Sequence, residues 1–268
     1  MPTAAPEKGE HQNVARAARV MAALAGAHET GLRLTDVAEA TGLGTATVHR
    51  LLAGLVRHGF VDQHGNRYFL GLQLIGWAAS ASARYGLAPF ADAGLERLCF
   101  ETGDTVYFSL IAGLDSVCVD RREGLYPIKT LTLAVGDRRP LGVGAGSLAL
   151  LAFQPEAERQ TILAEDGERR LKFGIRDDFL TAALERARAD GFALNSGWLI
   201  PGMSGVAVPV RRADGRAMAA ISVAAVTTRL SGDRLDDVVA MLKREAATIE
   251  ANAAEVLETP FARRGAHR

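Results

Sequence analysis

Cysteine and histidine are scarce in this chain of 268 residues, and their positions exclude several kinds of chemistry. The two cysteines, Cys99 and Cys118, are isolated, so they suggest no structural disulfide and cannot hold zinc without help from histidine. Of the six histidines, five precede residue 65 and the sixth is His267. The long region between them therefore has no Ser-His-Asp, Cys-His or histidine–metal site.

An excess of charge of one sign and long apolar runs are also missing. Lys+Arg and Asp+Glu both total 31, so the whole chain shows no basic surplus pointing to nucleic acid. The polar stretch 1–11 has no apolar segment like that of a signal peptide, and no later stretch is long enough to span a membrane. We expect a cytoplasmic protein with no membrane contact, and no feature points to a metal or cofactor.

What is present is the composition of a folded protein of more than one domain. Hydrophobic residues make up 48% and charged residues 23% of the chain, which is typical of globular proteins. A length of 268 residues exceeds the usual size of one hydrophobic core. Two domains are therefore the first expectation.

The N-terminal part has the pattern of three short helices. A second helix over residues 35–40 ends at the glycine-containing turn 42–44, and a third begins with Thr45 as its N-cap. Helix, short glycine turn and helix together are typical of a helix-turn-helix. The first helix has apolar residues at helical spacing: Val14, Ala17, Ala18, Met21 and Ala25. The third does too: Val48, Leu51, Leu52 and Leu55.

The other face of the third helix suits DNA. It carries Thr45, Thr47, His49 and Arg50, and residues 41–61 contain no acidic side chain. Hydroxyl and guanidinium groups without carboxylates fit phosphates and base edges in a major groove. Residues 60–62 and 67–70 then flank a turn and predict a β-hairpin wing, in which Arg67 can reach a phosphate or the minor groove. The alternative is a packing module, because residues 1–76 hold seven Lys/Arg against six Asp/Glu.

The rest of the chain predicts an α+β domain after a linker helix. Residues 72–85 favour the linker helix, and residues 91–101 resume a helical pattern after Pro89. Most of the predicted strands are antiparallel neighbours with helices beside them, which favours an α+β sandwich. The predicted strands are 105–112, 116–121, 128–135, 205–210 and 217–226. The predicted helices are 142–153, 179–189 and 233–257.

The glycine-rich run 142–146 lacks the Gly-Lys-Ser/Thr ending of a P-loop. At a helix N-terminus such a run can hold a carboxylate without catalysis, or it can simply cap the helix. Arg138 or Arg139 can neutralise an anion, or can lie at the surface.

The chain holds seven short motifs in a fixed order, at residues 34–43, 47–52, 67–71, 136–141, 144–146, 191–194 and 206–210. In their order and spacing they resemble the IclR family of bacterial regulators over most of the chain. The resemblance implies a winged helix-turn-helix at 10–71, a linker helix at 72–86 and a GAF-like effector domain at 87–258, acting as a homodimer or homotetramer. One departure is that this chain has Thr45 and Ala46 where members often have lysine and serine.

The resemblance also implies an effector site, and this chain departs from it at two positions. Asn195 stands where the family has a carboxylate, and Ala224 stands where it has a serine. With Trp198, Leu199, Ile200 and Met203 nearby, these changes predict a pocket less polar than a two-carbon acid needs, with an aromatic or larger acid as its ligand. The matching positions are Gly144, Ala145, Asn195, Gly205, Ser222 and Ala224.

The sequence therefore predicts a ligand-responsive transcriptional regulator, repressor or activator, of a catabolic or metabolic operon. Its expected partners are a pseudo-palindromic double-stranded operator and a small organic acid or aromatic compound. The alternatives are a small-molecule enzyme with an appended winged helix, and a winged helix that binds protein. No recognisable motif identifies the effector, the operator or the target genes. None gives the sign of regulation or the size of the oligomer either.

Overall fold

The computed structural model describes residues 12–27 and 30–258, and the chain divides between Ala83 and Arg84 into two compact units. His11, His28, His267 and the polar N-terminal stretch lie outside the described residues. No described helix is long and apolar enough to cross a membrane. Helix α4, Gln73–Tyr85, runs across the division at the position predicted for the linker helix.

The first unit is a three-helix winged module. The sheet has the order β1-β3-β2, and its hairpin β2–β3 turns at Gly65, whose φ of 61° suits glycine. Its small core holds Val48 and Leu52 of the third helix, as the helical spacing predicted. The apolar face predicted for the first helix is wrong, because Val14, Ala18 and Ala25 are exposed and the buried residues are instead Val20 and Leu24. The elements are α1 Gln12–Gly26, β1 Leu32–Arg33, α2 Leu34–Thr41, α3 Thr45–Arg57, β2 Val61–His64 and β3 Arg67–Leu70.

The turn before α3 corrects one detail of the prediction. Gly44, not Thr45, is the N-cap of α3, and the Gly44 carbonyl accepts hydrogen bonds from the Thr47 and Val48 amides. Gly44 takes the extended conformation that the cap position requires. Thr45 is therefore the first helical residue, with its side chain exposed rather than bonded to the helix end.

The second unit is built on one antiparallel sheet of six strands in the order β6-β5-β4-β9-β8-β7. Its strands are β4 Thr105–Ala112, β5 Asp115–Glu123, β6 Arg138–Pro140, β7 Ala193–Ile200, β8 Met203–Arg211 and β9 Ala217–Val226. Its helices are α5 Ala88–Thr102, α6 Ala145–Ala152, α7 Glu156–Glu165, α8 Gly167–Leu171, α9 Asp177–Asp190, α10 Asp233–Asn252 and α11 Ala254–Leu257.

The two faces of the sheet are covered by different helices. Because side chains alternate along a strand, Ile221 and Val223 of β9 pack with α5 and α10, whereas Ala220 packs on the opposite face with α6 and α9. The predicted α+β architecture beside a winged helix-turn-helix is confirmed. The helix predicted from residue 142 begins only at Ala145, because Gly142 and Gly144 have φ values of 97° and 91°.

The strand predicted over residues 128–135 is wrong. Those residues form no regular element, and the short strand β6 pairs with β5 instead, with Arg139 opposite Ser116. Side chains replace the missing partner strand for several backbone groups of the segment. Tyr107 donates its hydroxyl to the Thr130 carbonyl and accepts from the Thr132 amide at 3.2 Å. An alternating pattern without a neighbour to pair with does not make a strand.

Both cysteines carry free thiols, and they differ in burial. Burial raises the pKa of the Cys118 thiol from 9.0 to about 12. In a Cys99→Ser variant we expect Cys118 to alkylate about a thousandfold more slowly with iodoacetamide at pH 8 than an unhindered thiol, because the thiolate is the nucleophile. Full-speed labelling in denaturant is the control. An equal rate in native and denatured protein would contradict the buried position.

Candidate DNA interface and effector cavity

The exposed face of α3 presents the residues that the sequence predicted for DNA contact. Thr45, His49 and Arg50 are exposed and Thr47 is half-buried, while Val48 between them is buried in the core. In the part of the chain that the structure describes, Arg50 makes no hydrogen bond or ion pair. The helix therefore offers hydroxyl, imidazole and guanidinium groups that are available to a phosphate or a base edge.

Arg67 has a different environment from the α3 residues. Its Nη1 donates to the carbonyls of Thr30 and Gly31, both at 2.9 Å, so the guanidinium ties the wing strand β3 to the backbone just before β1. The side chain is half-buried. These bonds use one nitrogen of the guanidinium, and the other N–H groups keep their donor capacity for a phosphate.

A cavity in the second unit brings together all six residues predicted for the effector. Gly144 and Ala145 come from the start of α6, Asn195 and Gly205 come from β7 and β8, and Ser222 and Ala224 come from β9. The alternation along β9 places Ser222 and Ala224 on the α6 side of the sheet, away from Ile221 and Val223. The cavity therefore lies between the sheet and the N-terminus of α6.

Other residues of the lining were not among the predicted six. They come from strands β4, β5 and β6, from the segment after β5, from helix α6 and from the β7–β8 hairpin. The signal that could have found two of them is alternation in β4, where Tyr107 and Ser109 face away from the apolar Val106 and Phe108. The additional polar side chains are Tyr107, Ser109, Ser116, Thr130, Thr132, Arg139, Ser147 and Ser204.

The lining combines apolar and polar side chains, and the expectation of a weakly polar pocket stays a prediction. Leu199, Ile200 and Met203 contribute apolar surface, and hydroxyl, amide and guanidinium groups contribute polar surface elsewhere in the wall. Trp198 is not part of the lining, because it packs edge-on against Phe179 with ring centroids 5.2 Å apart. The cavity volume is about 50 Å³, room for on the order of four water-sized groups. An aromatic acid would require the cavity to enlarge.

Asn195 shapes the rim of the cavity through its own backbone. Its Oδ1 accepts hydrogen bonds from the amides of Gly197 and Trp198, both at 3.2 Å, where the register of β7 with β8 is interrupted. These bonds identify the amide oxygen and leave Nδ2 as the donor that can face a ligand. A carboxylate here would add negative charge, so asparagine keeps the cavity free of acidic groups.

Two protein-family models match the chain, one in each of its two units. The IclR helix-turn-helix domain matches residues 13–65, and the domain described as bacterial transcriptional regulator IclR C-terminal matches residues 79–251. The chain belongs to the IclR family. On that evidence it is a transcriptional regulator and not an enzyme, and the alternative of an enzyme with an appended winged helix is wrong.

Individual IclR-family relatives align with most of this chain and over most of their own length. The HTH-type transcriptional regulator XynR of Escherichia coli is 30% identical over 84% of this chain and 90% of its own length. The probable transcriptional regulator SauR of Cupriavidus necator is 32% identical over 84% and 91%. A crystal structure of an IclR transcriptional regulator from Alicyclobacillus acidocaldarius is 28% identical and covers 90% of this chain and 98% of that one, with a TM-score of 0.71.

Family membership implies that this regulator binds DNA through the winged module and a small molecule through the second unit. Within residues 12–27 and 30–258, no group of three or more His, Cys, Asp or Glu side chains could hold a metal ion.

Proposed function

We propose that this IclR-family regulator controls a catabolic or metabolic operon by binding a pseudo-palindromic operator. Thr45, Thr47, His49 and Arg50 enter the major groove, and Arg67 in the wing contacts the backbone. The observation that carries this proposal is the exposed face of α3, which has unpaired Arg50 and no carboxylate in residues 41–61. Regulation follows if the effector binds one arrangement of the protein more tightly than the other.

A homodimer or homotetramer is part of the proposal. Two copies related by a two-fold axis read two half-sites, which explains a pseudo-palindromic operator. Large apolar side chains are exposed around α4 in the first unit, and such surface is typical of an interface: Leu72 is 75%, Ile75 65% and Trp77 52% exposed. We place the working domain boundaries at 10–71, 72–86 and 87–258, and the protein in the cytoplasm with its DNA.

Selection from a random double-stranded DNA pool at two salt concentrations tests the DNA partner. The expected result is enrichment of one pseudo-palindrome, with affinity that falls as salt rises because bound phosphates release counterions. If no sequence is enriched, with and without candidate organic acids, the module does not read DNA. The alternative of a winged helix that binds protein then takes its place.

Arg50→Ala is expected to weaken binding to the selected operator by about 5- to 150-fold, because one side-chain contact to a base is worth about 1–3 kcal/mol. Binding is measured by fluorescence anisotropy, and the thermal unfolding midpoint should stay at the wild-type value. Arg186→Ala is the matched control. It also removes one exposed positive charge, but from α9 of the second unit. Equal losses in both variants would mean that net charge, not position, determines affinity.

The effector is proposed to be a small organic acid bound in the cavity by Gly144, Ala145, Asn195, Gly205, Ser222 and Ala224. The N-terminus of α6 contributes amides and a positive dipole that suit a carboxylate, and the serine and asparagine side chains supply further polar contacts. A fold neighbour from Microbacterium hydrocarbonoxydans, 22% identical with a TM-score of 0.70, is complexed with 4-hydroxybenzoate. Aromatic acids are therefore the second class of compound to be tested for binding.

A further inference from the structure

Arg139 is the only charged side chain in the lining of the cavity, among the residues that the structure describes. It stands on the three-residue strand β6, where neighbouring side chains point to opposite sides. The preceding Arg138 is exposed and pairs with Asp115, with an Nη2–Oδ2 distance of 3.0 Å. Two consecutive arginines thus have different environments, one at the surface and one in the cavity.

The charge of Arg139 has no counter-ion within the described chain. Its guanidinium makes no ion pair there, and its Nη2 donates instead to the Thr132 carbonyl at 2.6 Å. The nearby carboxylate of Asp137 accepts from the Ala134 amide and forms no ion pair with Arg139. Burial lowers the pKa of the Arg139 guanidinium, although arginine stays charged at neutral pH. A partly buried, unpaired cation has a strong tendency to bind an anion.

Arg139 also lies beside the start of α6. Its Nη1 is 3.2 Å from the position that a Cβ atom on Gly144 would occupy, so the glycine leaves room for the guanidinium at the helix N-terminus. The guanidinium and the helix dipole therefore present positive charge to the same part of the cavity. Tyr107, Ser109 and Ser222 line other parts of the wall and offer hydroxyl groups to the rest of a ligand.

We propose that Arg139 binds the carboxylate of the effector and selects small monocarboxylic acids with hydroxyl or oxo groups. This inference rests on the proposed effector function of the cavity. One cation neutralises one carboxylate, and a second carboxylate would be buried without a partner. A volume of about 50 Å³, on the order of four water-sized groups, suits a three-carbon acid. The acid replaces the Thr132 carbonyl as acceptor for Arg139.

Calorimetric titration of the full chain at pH 7.5 tests the charge requirement without any mutation. Lactate and pyruvate are compared with their neutral amides, with the dianion malonate and with 4-hydroxybenzoate. We expect lactate or pyruvate to bind, and the corresponding amide and malonate to bind at least about tenfold more weakly, since a charge-assisted pair in a partly buried site is lost. Equal binding of acid and amide overturns the proposal, as does failure of both small acids to bind.

Arg139→Gln then tests the residue. Affinity for the small acid should fall at least about tenfold, and the preference for acid over amide should disappear. Arg138→Gln is the matched control and should keep both within about threefold, because the Arg138 side chain is 54% exposed and outside the cavity. Circular dichroism and thermal unfolding check folding of each variant. A preference that persists in folded Arg139→Gln overturns the role of Arg139.

Operator binding by the wild-type protein separates this inference from the proposed function. If the operator is bound and only uncharged or aromatic compounds alter that binding, the regulator function stands and the role of Arg139 is wrong. If neither an operator nor any of these compounds binds, the proposed function fails, and the inference that rests on it fails too.

Discussion

Replacement of Asp104 by alanine is expected to lower the free energy of unfolding by about 1.5–3 kcal/mol, because it removes the buried carboxylate that accepts charge-assisted hydrogen bonds from two partly exposed arginines. The Asp104 side chain is 1% exposed. Arg229 Nε lies 2.8 Å from its Oδ1, and Arg234 Nη2 lies 2.8 Å from its Oδ2. Both arginines also donate to the Thr102 carbonyl. The carboxylate thus joins the end of α5 to the start of α10, and alanine leaves two guanidinium groups without an anion.

Urea unfolding at one protein concentration measures this effect. Asp92→Ala is the matched control, because Asp92 also pairs with an arginine, Arg122, but is 61% exposed. Its loss should cost less than about 1 kcal/mol, as is usual for a surface ion pair. Similar midpoints for the two variants would show that the buried pair around Asp104 contributes no more than a surface pair.

Gly146→Leu is expected to weaken effector binding by about 5- to 150-fold, since an added side chain that overlaps the ligand costs about 1–3 kcal/mol. A Cβ atom on Gly146 would lie 3.6 Å from Ser222 Oγ and 3.8 Å from Ser109 Oγ, which are ordinary contacts. The rest of the leucine then occupies a cavity of about 50 Å³. Leucine also has a higher helix propensity than glycine, by up to about 1 kcal/mol, so α6 should remain folded.

The same titration with the tightest-binding acid measures the loss, and operator binding without effector should be unchanged. Gly146→Ala is the control for the loss of glycine itself. Its methyl group makes only the ordinary contacts with Ser222 and Ser109, so most of the acid affinity should remain. Wild-type affinity in Gly146→Leu would place the effector outside this cavity.

Local patterns were sufficient for much of the fold. The strand predicted at residues 217–226 is β9 as observed, and the helix predicted from Thr45 is α3. In both, the spacing of apolar side chains matches the period of the element that buries them. The segment 128–135 shows where this reasoning fails. Its alternation resembles a strand, but the edge of β5 pairs with β6, and Tyr107 holds part of the segment instead.

Family resemblance supplied the six predicted effector residues, and all six lie in one cavity. The rest of the cavity lining depends on the register of the strands. Tyr107 is directly opposite Ser222 because β4 pairs with β9, although the two residues are far apart in sequence. A shift of one residue would turn either side chain to the α5 and α10 side of the sheet. The hydroxyl-rich wall therefore could not be predicted from β4 or β9 alone.

The sequence by itself determined the winged module, the carboxylate-free face of α3 and the absence of histidine from residues 65–266, because composition and helical period are local properties. Only the tertiary structure decided that Arg138 is exposed and pairs with the buried Asp115, while Arg139 faces the cavity beside Gly144. The physical reason is that adjacent residues on a strand point to opposite sides, and the sheet and helix packed around β6 decide which side is water and which is the cavity.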